Sequence, residues 1–179
     1  MIKYTSIVLT LLGGFISWGC LAQAFPPLEG ENLSGQQITI PADISDKVSL
    51  VGMAYSKKSE DALKSWYQPM YDKFVLKRGI WDSNYDINLL FVPMFTGAKK
   101  MAYEQSMNKM KESNRKDLYP YLLFYKGNLE PYVTDLDMNN KALPYLFLLG
   151  KNGEILWSTK GIYTPKKIES IEEILDALQ

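Results

Sequence analysis

No histidine occurs in the 179 residues, and the one cysteine, Cys20, stands in an apolar N-terminal stretch. Beyond that stretch, any reaction must be carried by hydroxyls, amines, phenols or carboxylates. Three short clusters bring such groups together. Ser56-Lys57-Lys58-Ser59 places two hydroxyls around two amines. A serine nucleophile needs a positioned base, which here would be a lysine or a carboxylate, and no nucleophile-elbow motif surrounds either serine. The simpler expectation is that Ser59 caps a helix and Ser56 ends a strand. Asp135-Leu136-Asp137-Met138-Asn139-Asn140 begins like a calcium loop. It then places Asn140 where glycine makes the turn and Leu146 where glutamate closes the coordination shell. Asp82-Ser83-Asn84-Tyr85-Asp86 fails in the same way at Ile87 and Pro93. Both read as polar turns. Thiolate and imidazole ligands are both missing, which disfavours structural zinc, and no carboxylate spacing favours glycoside hydrolysis. The expectation is no catalytic residue, no metal site and no cofactor. The competing reading is a carboxylate-based enzyme or metal-dependent protein using Asp135 and Asp137.

The first 24 residues set the compartment. Met1 to Tyr4 is short and weakly positive, Thr5 to Gly19 is uncharged and mostly apolar, and Ala22-Gln23-Ala24 has the small-x-small pattern read by signal peptidase. These parts follow in the order of a secretory signal peptide, and the stretch is short for a membrane span of about 20 apolar residues. Cleavage after Ala24 is the better fit. Lipidation at Gly19-Cys20 is the alternative, although Ser17 and Trp18 match that pattern poorly. Both imply export, with a periplasmic location or a lipid anchor at the envelope. The remainder, residues 25–179, has the length of one domain. Twenty Lys+Arg against twenty Asp+Glu leave no basic stripe for nucleic acid. Twelve tyrosines in a chain that is 13% aromatic point to a filled core or an adhesive surface, not disorder.

The elements that must position these residues follow from periodicity. Residues 25–46 form an extended N-terminal segment. Its Phe25-Pro26-Pro27 start is stiff, and its Gly35–Pro41 stretch alternates like an edge strand. Val48 to Tyr55 is an apolar run suited to a strand covered on both faces. A helix begins near Ser59 with Leu63, Trp66, Tyr67, Met70 and Phe74 on one face. Pro69 predicts a kink, and Lys77-Arg78-Gly79 a stop. Ile87 to Val92 is a second strand core, and a helix is expected from Gly97 to about Asn114. Residues 119–143 give no clear pattern. Pro144 to Leu149 is a third strand, Gly150-Lys151-Asn152-Gly153 a hairpin turn, and Glu154 to Thr159 its partner. Thr164-Pro165 opens a last helix with Ile168, Ile171, Leu175 and Leu178 on one face. Trp66, Tyr67, Met70 and Phe74 read as core, Trp157 as partly exposed, and Met101, Met107 and Met110 chiefly as gap-fillers.

The order strand, helix, strand, helix, hairpin, helix, ending in Leu143-Pro144-Tyr145-Leu146-Phe147-Leu148-Leu149-Gly150-Lys151-Asn152-Gly153-Glu154-Ile155-Leu156-Trp157, resembles the thioredoxin-like superfamily over roughly Lys47 to Leu178. The resemblance implies an α/β three-layer sandwich, a central mixed sheet flanked by helices, over residues 47–179. Two cysteine-poor branches are more similar than true thioredoxins. One is the exported YtfJ-type family, which shares Tyr119-Pro120 and the closing Gly153-to-Gly161 pattern. The other is the mitochondrial ATP-synthase assembly factor family, tied to assembly and not to redox chemistry. Where the superfamily carries Cys-x-x-Cys, between Ser56 and Ala62, this chain has no thiol. The resemblance further implies a cis peptide at Leu143-Pro144, whose backbone would pair with an incoming strand. The binding groove would then be Ser56, Lys57, Lys58 and Ser59 beside Leu143 and Pro144. The expected function is an exported, non-catalytic domain that binds a protein or extended peptide. Disulfide exchange and peroxide reduction need a thiolate. The purified protein lacking its leader is therefore expected to leave insulin disulfides and peroxide untouched in the presence of thiol donors. Turnover that follows the protein through purification would contradict this.

Overall fold

The computed structural model describes residues 23–79, 85–112 and 116–179. The leader up to Ala22, with Cys20, and the first residues of the Asp82–Asp86 cluster lie outside the described residues. Among those described, seven strands form one mixed sheet: β1 Leu28–Asn32, β2 Gln37–Ile40, β3 Ser49–Ala54, β4 Asn88–Thr96, β5 Leu123–Gly127, β6 Tyr145–Leu149 and β7 Ile155–Lys160. Their spatial order is β2-β1-β5-β4-β3-β6-β7. Strands β3, β4 and β5 run parallel, while β6 is antiparallel to β3 and β7 antiparallel to β6. The hairpin β1–β2 continues the sheet, antiparallel, beyond β5. Among the described residues four α-helices accompany it: α1 Lys57–Met70, α2 Tyr103–Lys111, α3 Glu130–Asp135 and α4 Pro165–Ala177.

The central strands are buried on both faces, so their side chains divide by alternation. Leu50, Phe91, Phe95, Leu146 and Leu148 pack with Leu63 and Trp66 of α1, Met107 of α2 and Ile171 of α4. Val51, Met53, Val92, Phe147 and Leu149 point the other way, onto Tyr132 of α3 and onto Phe25 and Leu28. This is the expected three-layer arrangement. Helix α1 comes very close to the sheet at Gly52, where a Cβ would stand 3.0 Å from Leu63 Cδ1 and 3.2 Å from Phe91 Cδ1. Beyond Pro69 the helix widens into a π-turn, Tyr71–Val75, with Leu76 N–H donating to the Tyr71 carbonyl at 2.9 Å. The strain expected at the proline is thus taken up by a wider turn, one of the known causes of helix distortion.

Several expectations need correction. Ser56, not Ser59, is the N-cap of α1. The segment expected to hold one edge strand holds two, because Asn32 supports a tight turn that its polar sequence conceals. Asn32 is buried, and its Oδ1 accepts from the N–H groups of Ser34 (2.9 Å) and Gln36 (3.0 Å). The helix expected from Gly97 opens as a 3-10 stretch, Gly97–Ala102, before α2 begins. Met101 in that stretch is 92% exposed and fills no gap, whereas Met107 is buried. The stretch 119–143 contains the end of a 3-10 turn, Lys116–Tyr121, then β5, α3 and a loop. Finally, the cis peptide among the described residues is Ile40–Pro41, and Leu143–Pro144 is trans.

The hairpin between β6 and β7 turns as its Asn-Gly pair predicts, with Gly153 at φ +78° and its N–H donating to the Gly150 carbonyl at 3.0 Å. The N-terminal segment docks on this hairpin. Phe25 N–H donates to the Gly153 carbonyl at 2.9 Å, and Ile155 N–H to the Gln23 carbonyl at 2.8 Å. A Cβ on Gly153 would lie 2.5 Å from Pro41 Cγ. Gly153→Ala therefore meets two penalties, a left-handed backbone and a clash. It is expected to lower unfolding free energy by about 1–3 kcal/mol, measured by urea denaturation, with little change at the opposite end of the sheet.

Candidate functional site

Because β3, β4 and β5 are parallel, their carboxyl ends gather at one end of the molecule, where antiparallel β6 begins opposite Met53. Helix α1 starts directly after β3, so Ser56 to Ser59 lies at this end. Ser59 is buried and the two serines close on each other. Ser59 N–H donates to Ser56 Oγ at 3.1 Å, Ser56 N–H donates to Ser59 Oγ at 3.0 Å, and the two hydroxyl oxygens stand 3.1 Å apart. This reciprocal capping box satisfies first-turn donors that would otherwise be orphaned. Each hydroxyl proton has a carbonyl acceptor: Ser59 Oγ donates to the Ser56 carbonyl at 3.0 Å, and Ser56 Oγ to that of Lys141.

The amines are committed differently. Lys57 Nζ and Lys64 Nζ both meet Asp61 Oδ1, at 2.7 and 2.8 Å. The hydrogen bonds from Lys57 and then Lys64 hold the Asp61 carboxyl down at about 2, and Asp61 in turn raises Lys57 above its ordinary value. A lysine more firmly protonated than usual is the wrong kind of group for a general base. Lys58 is exposed and makes no ion pair among the described residues. Neither serine hydroxyl donates to a basic side chain here.

The structure brings the two halves of the expected groove together, since Ser56 bonds to Lys141 of the 139–143 turn. It does not leave the backbone edge free. Leu143 N–H donates to the Asn140 carbonyl at 3.1 Å, and the Pro144 carbonyl accepts from Gly161 N–H at 2.9 Å. Asn140 N–H in turn donates to the Tyr145 hydroxyl at 2.7 Å, pinning the turn to β6. A trans Leu143–Pro144 bond and this turn leave no open edge at Leu143 for strand addition. What opens beside it is a cleft of about 670 Å³ bordered by Tyr55, Asp137, Asn140, Lys141, Tyr145 and Lys160. Tyr55 donates to the Met138 carbonyl at 2.7 Å, and burial, followed by the neighbouring Tyr145, raises its hydroxyl above the ordinary value. The sequence reading did not single out these tyrosines or lysines; the signal was Tyr55 and Tyr145, one at the end of β3 and one at the start of β6.

Asp135 ends α3, and its carbonyl accepts from the Gln23 side chain. Asp137 has φ +51°, and its carboxylate accepts from the Asn139 amide. Among the described residues neither belongs to a group of three or more Asp, Glu, His or Cys side chains suited to a metal ion.

The fold has many solved counterparts. BsSco, a member of the Sco family of cytochrome c oxidase assembly proteins, is 13% identical with a TM-score of 0.59, over 89% of this chain and 96% of that one. Yeast Sco1 is 14% identical with a TM-score of 0.55, over 87% and 96%. The exposed lipoprotein thioredoxin Etrx1 of Streptococcus pneumoniae is 14% identical with a TM-score of 0.54, over 83% and 99%. At these identities the likeness concerns the fold, which is thioredoxin-like. No curated protein sequence matches the chain. The sequence model of one family, described as ATP10 protein, matches residues 21–178. That match settles which of the two cysteine-poor resemblances applies: the chain belongs to the ATP10 protein family.

Proposed function

We propose that this protein is exported to the periplasm and works there as a non-catalytic, partner-binding member of its family, in an assembly role. One observation carries this reading. The loop at the scaffold's usual redox position holds a closed pair of serines and a charged lysine pair, in place of thiols. The fold is kept while its usual chemistry is absent, which leaves recognition as the use of this end. Lys57, Lys58, Lys100, Lys141 and Lys160 all stand at or beside it. Two apolar side chains are also exposed there, Met101 at 92% after β4 and Ile162 at 59% after β7. A lysine-rich rim with isolated apolar contacts, and Asp137 on the cleft wall, suits an extended protein segment carrying acidic side chains, with Ser56 to Ser59, Leu143 and Pro144 supporting the lysines from beneath. Export rests on the leader pattern of residues 1–24, and lipidation of Cys20 is the alternative anchor. Among the described residues no helix is long and apolar enough to cross a membrane.

Two measurements test these points. N-terminal sequencing of the protein from its own cells is expected to begin at Phe25; a blocked chain whose mass shows a diacylglyceryl Cys20 would select the lipid anchor. A photo-crosslinking residue at Lys141 is expected to trap one dominant protein, and the same residue at Lys166 on α4 is expected not to trap it. Reversing Lys58 and Lys160 to glutamate, with the crosslinking residue kept at position 141, is expected to reduce that product by about tenfold or more. Identical patterns from both positions, or no effect of the reversal, would remove the proposed interface.

A further inference from the structure

A second concavity lies on the other side of α1, between α1 and α2, over the ends of β4 and β5. It has a volume of about 370 Å³. Pro93, Phe95, Leu122 and Phe124 make its floor, all of them buried core residues. Phe95 and Phe124 are stacked, with centroids 5.7 Å apart and planes at 12°, which makes that floor flat and rigid. The gap exists because α2 is short and is reached through a 3-10 stretch, so it covers only part of the strands beneath.

The polar lining of the groove is three lysines, a tyrosine, a serine and the carboxylate of Glu60. Tyr67, Ser106 and Lys109 line it, and among the described residues no hydrogen-bond or ion-pair partner is found for any of these three side chains. The Tyr67 ring packs on Phe91 at 4.4 Å between centroids. Burial, then nearby Glu60, raises its hydroxyl well above the ordinary value. The phenol thus stays a protonated donor. Glu60, the acidic group on the wall, is neutralised by Lys99, which also sits 4.6 Å over the Phe95 ring. Lys57 and Lys64 reach the rim while sharing Asp61. An apolar slot whose unengaged polar groups can donate and whose unpaired charge is positive calls for an acceptor with an apolar tail. Its volume is at the small end of the usual range for ligand pockets, about 300–1,000 Å³, which suits one chain and not two.

We propose that this groove binds a single-chain amphiphile with an anionic head, a long-chain carboxylate. The tail lies on the Phe95–Phe124 floor, and the carboxylate accepts from the Tyr67 hydroxyl and pairs with Lys109. This goes beyond the partner-binding reading and does not depend on it.

The test is calorimetric titration of the whole purified protein with dodecanoate below its micellar concentration, beside the uncharged dodecanol. Saturable binding of one dodecanoate is expected, about a hundredfold tighter than dodecanol, as loss of two contacts worth about tenfold each implies. Lys109→Glu and Tyr67→Phe are each expected to weaken dodecanoate by about tenfold and to leave dodecanol nearly unchanged. Ser106→Trp, on the half-buried flank of α2, is expected to abolish both. An unchanged near-ultraviolet dichroism spectrum outside the added tryptophan verifies that this variant folds, and Ser106→Leu serves in its place if it does not. Equal affinity for dodecanol, non-saturable uptake, or dodecanoate affinity indifferent to Lys109→Glu and to the Ser106 variants would each overturn the proposal. So would an acidic peptide that binds the groove in preference to dodecanoate, since the occupant would then be a protein segment.

Discussion

The placement of α1 depends above all on one buried hydrogen bond. Trp66 is fully buried, and a buried indole N–H needs an acceptor. It finds the Gly161 carbonyl at 3.0 Å, in the connection between β7 and α4. That connection is fastened to α1 twice more. Tyr163 meets the Trp66 ring edge-on at 5.6 Å, and its N–H donates to Ser65 Oγ at 3.0 Å. Lys167 stands 5.5 Å over the indole and donates to the carbonyls of Lys160 (2.9 Å) and Ile162 (2.8 Å). Gly161 N–H also holds the Pro144 carbonyl. The middle of α1, the end of β7 and the start of β6 thus form one rigid corner. The first turn of α1 and the 139–143 turn can meet only because that corner fixes both.

The first turn of α1 is completed by the chain's own side chains. A helix N-terminus offers unpaired N–H groups that lower the pKa of a nearby thiol. In this chain Ser56 and Ser59 occupy two of those donors with side-chain oxygens. The first turn is stabilised locally, and no anion is required to complete it. The start of α1 is self-satisfied at that point, and its surroundings carry lysines and tyrosines.

Much of this was legible in the chain itself. Buried strands announce themselves as continuous apolar runs, and β3, β4 and β6 fell where Val48–Tyr55, Ile87–Val92 and Pro144–Leu149 predicted them. Asn152-Gly153 and Thr164-Pro165 marked the hairpin and the start of α4 because both act through local backbone preference. The stretch 119–143 was opaque for a different reason. Strand β5 has only five residues, and α3 only six that hold together through Tyr132 and Leu136 against a distant N-terminal segment. The Tyr132 hydroxyl donates to the Pro27 carbonyl at 2.9 Å, a contact across 105 residues that no local pattern encodes. Hairpin β1–β2 was half visible, since its turn rests on the buried amide of Asn32 and not on a glycine pair. The cis bond expected at Pro144 came from a family pattern, not from these residues. Asn140, Ala142 and Leu143 make a self-contained turn whose donors are already used.

Charge at the candidate site has a consequence for how it can be regulated. Asp61 stays ionised down to about 2, so its contribution to α1 is fully present above the ordinary carboxyl range and is lost only as pH falls toward that value. It is fully exposed, which keeps that contribution small and sensitive to salt. Lys57 is held more firmly protonated by the same contact. With no histidine in the chain, no side chain with an ordinary pKa between about 5 and 8 is available to switch the cleft or the groove. The field of exposed charges falls off within about 8 Å at physiological ionic strength. Binding at either proposed site would therefore depend on ionic strength and shape, with no histidine to switch it with pH.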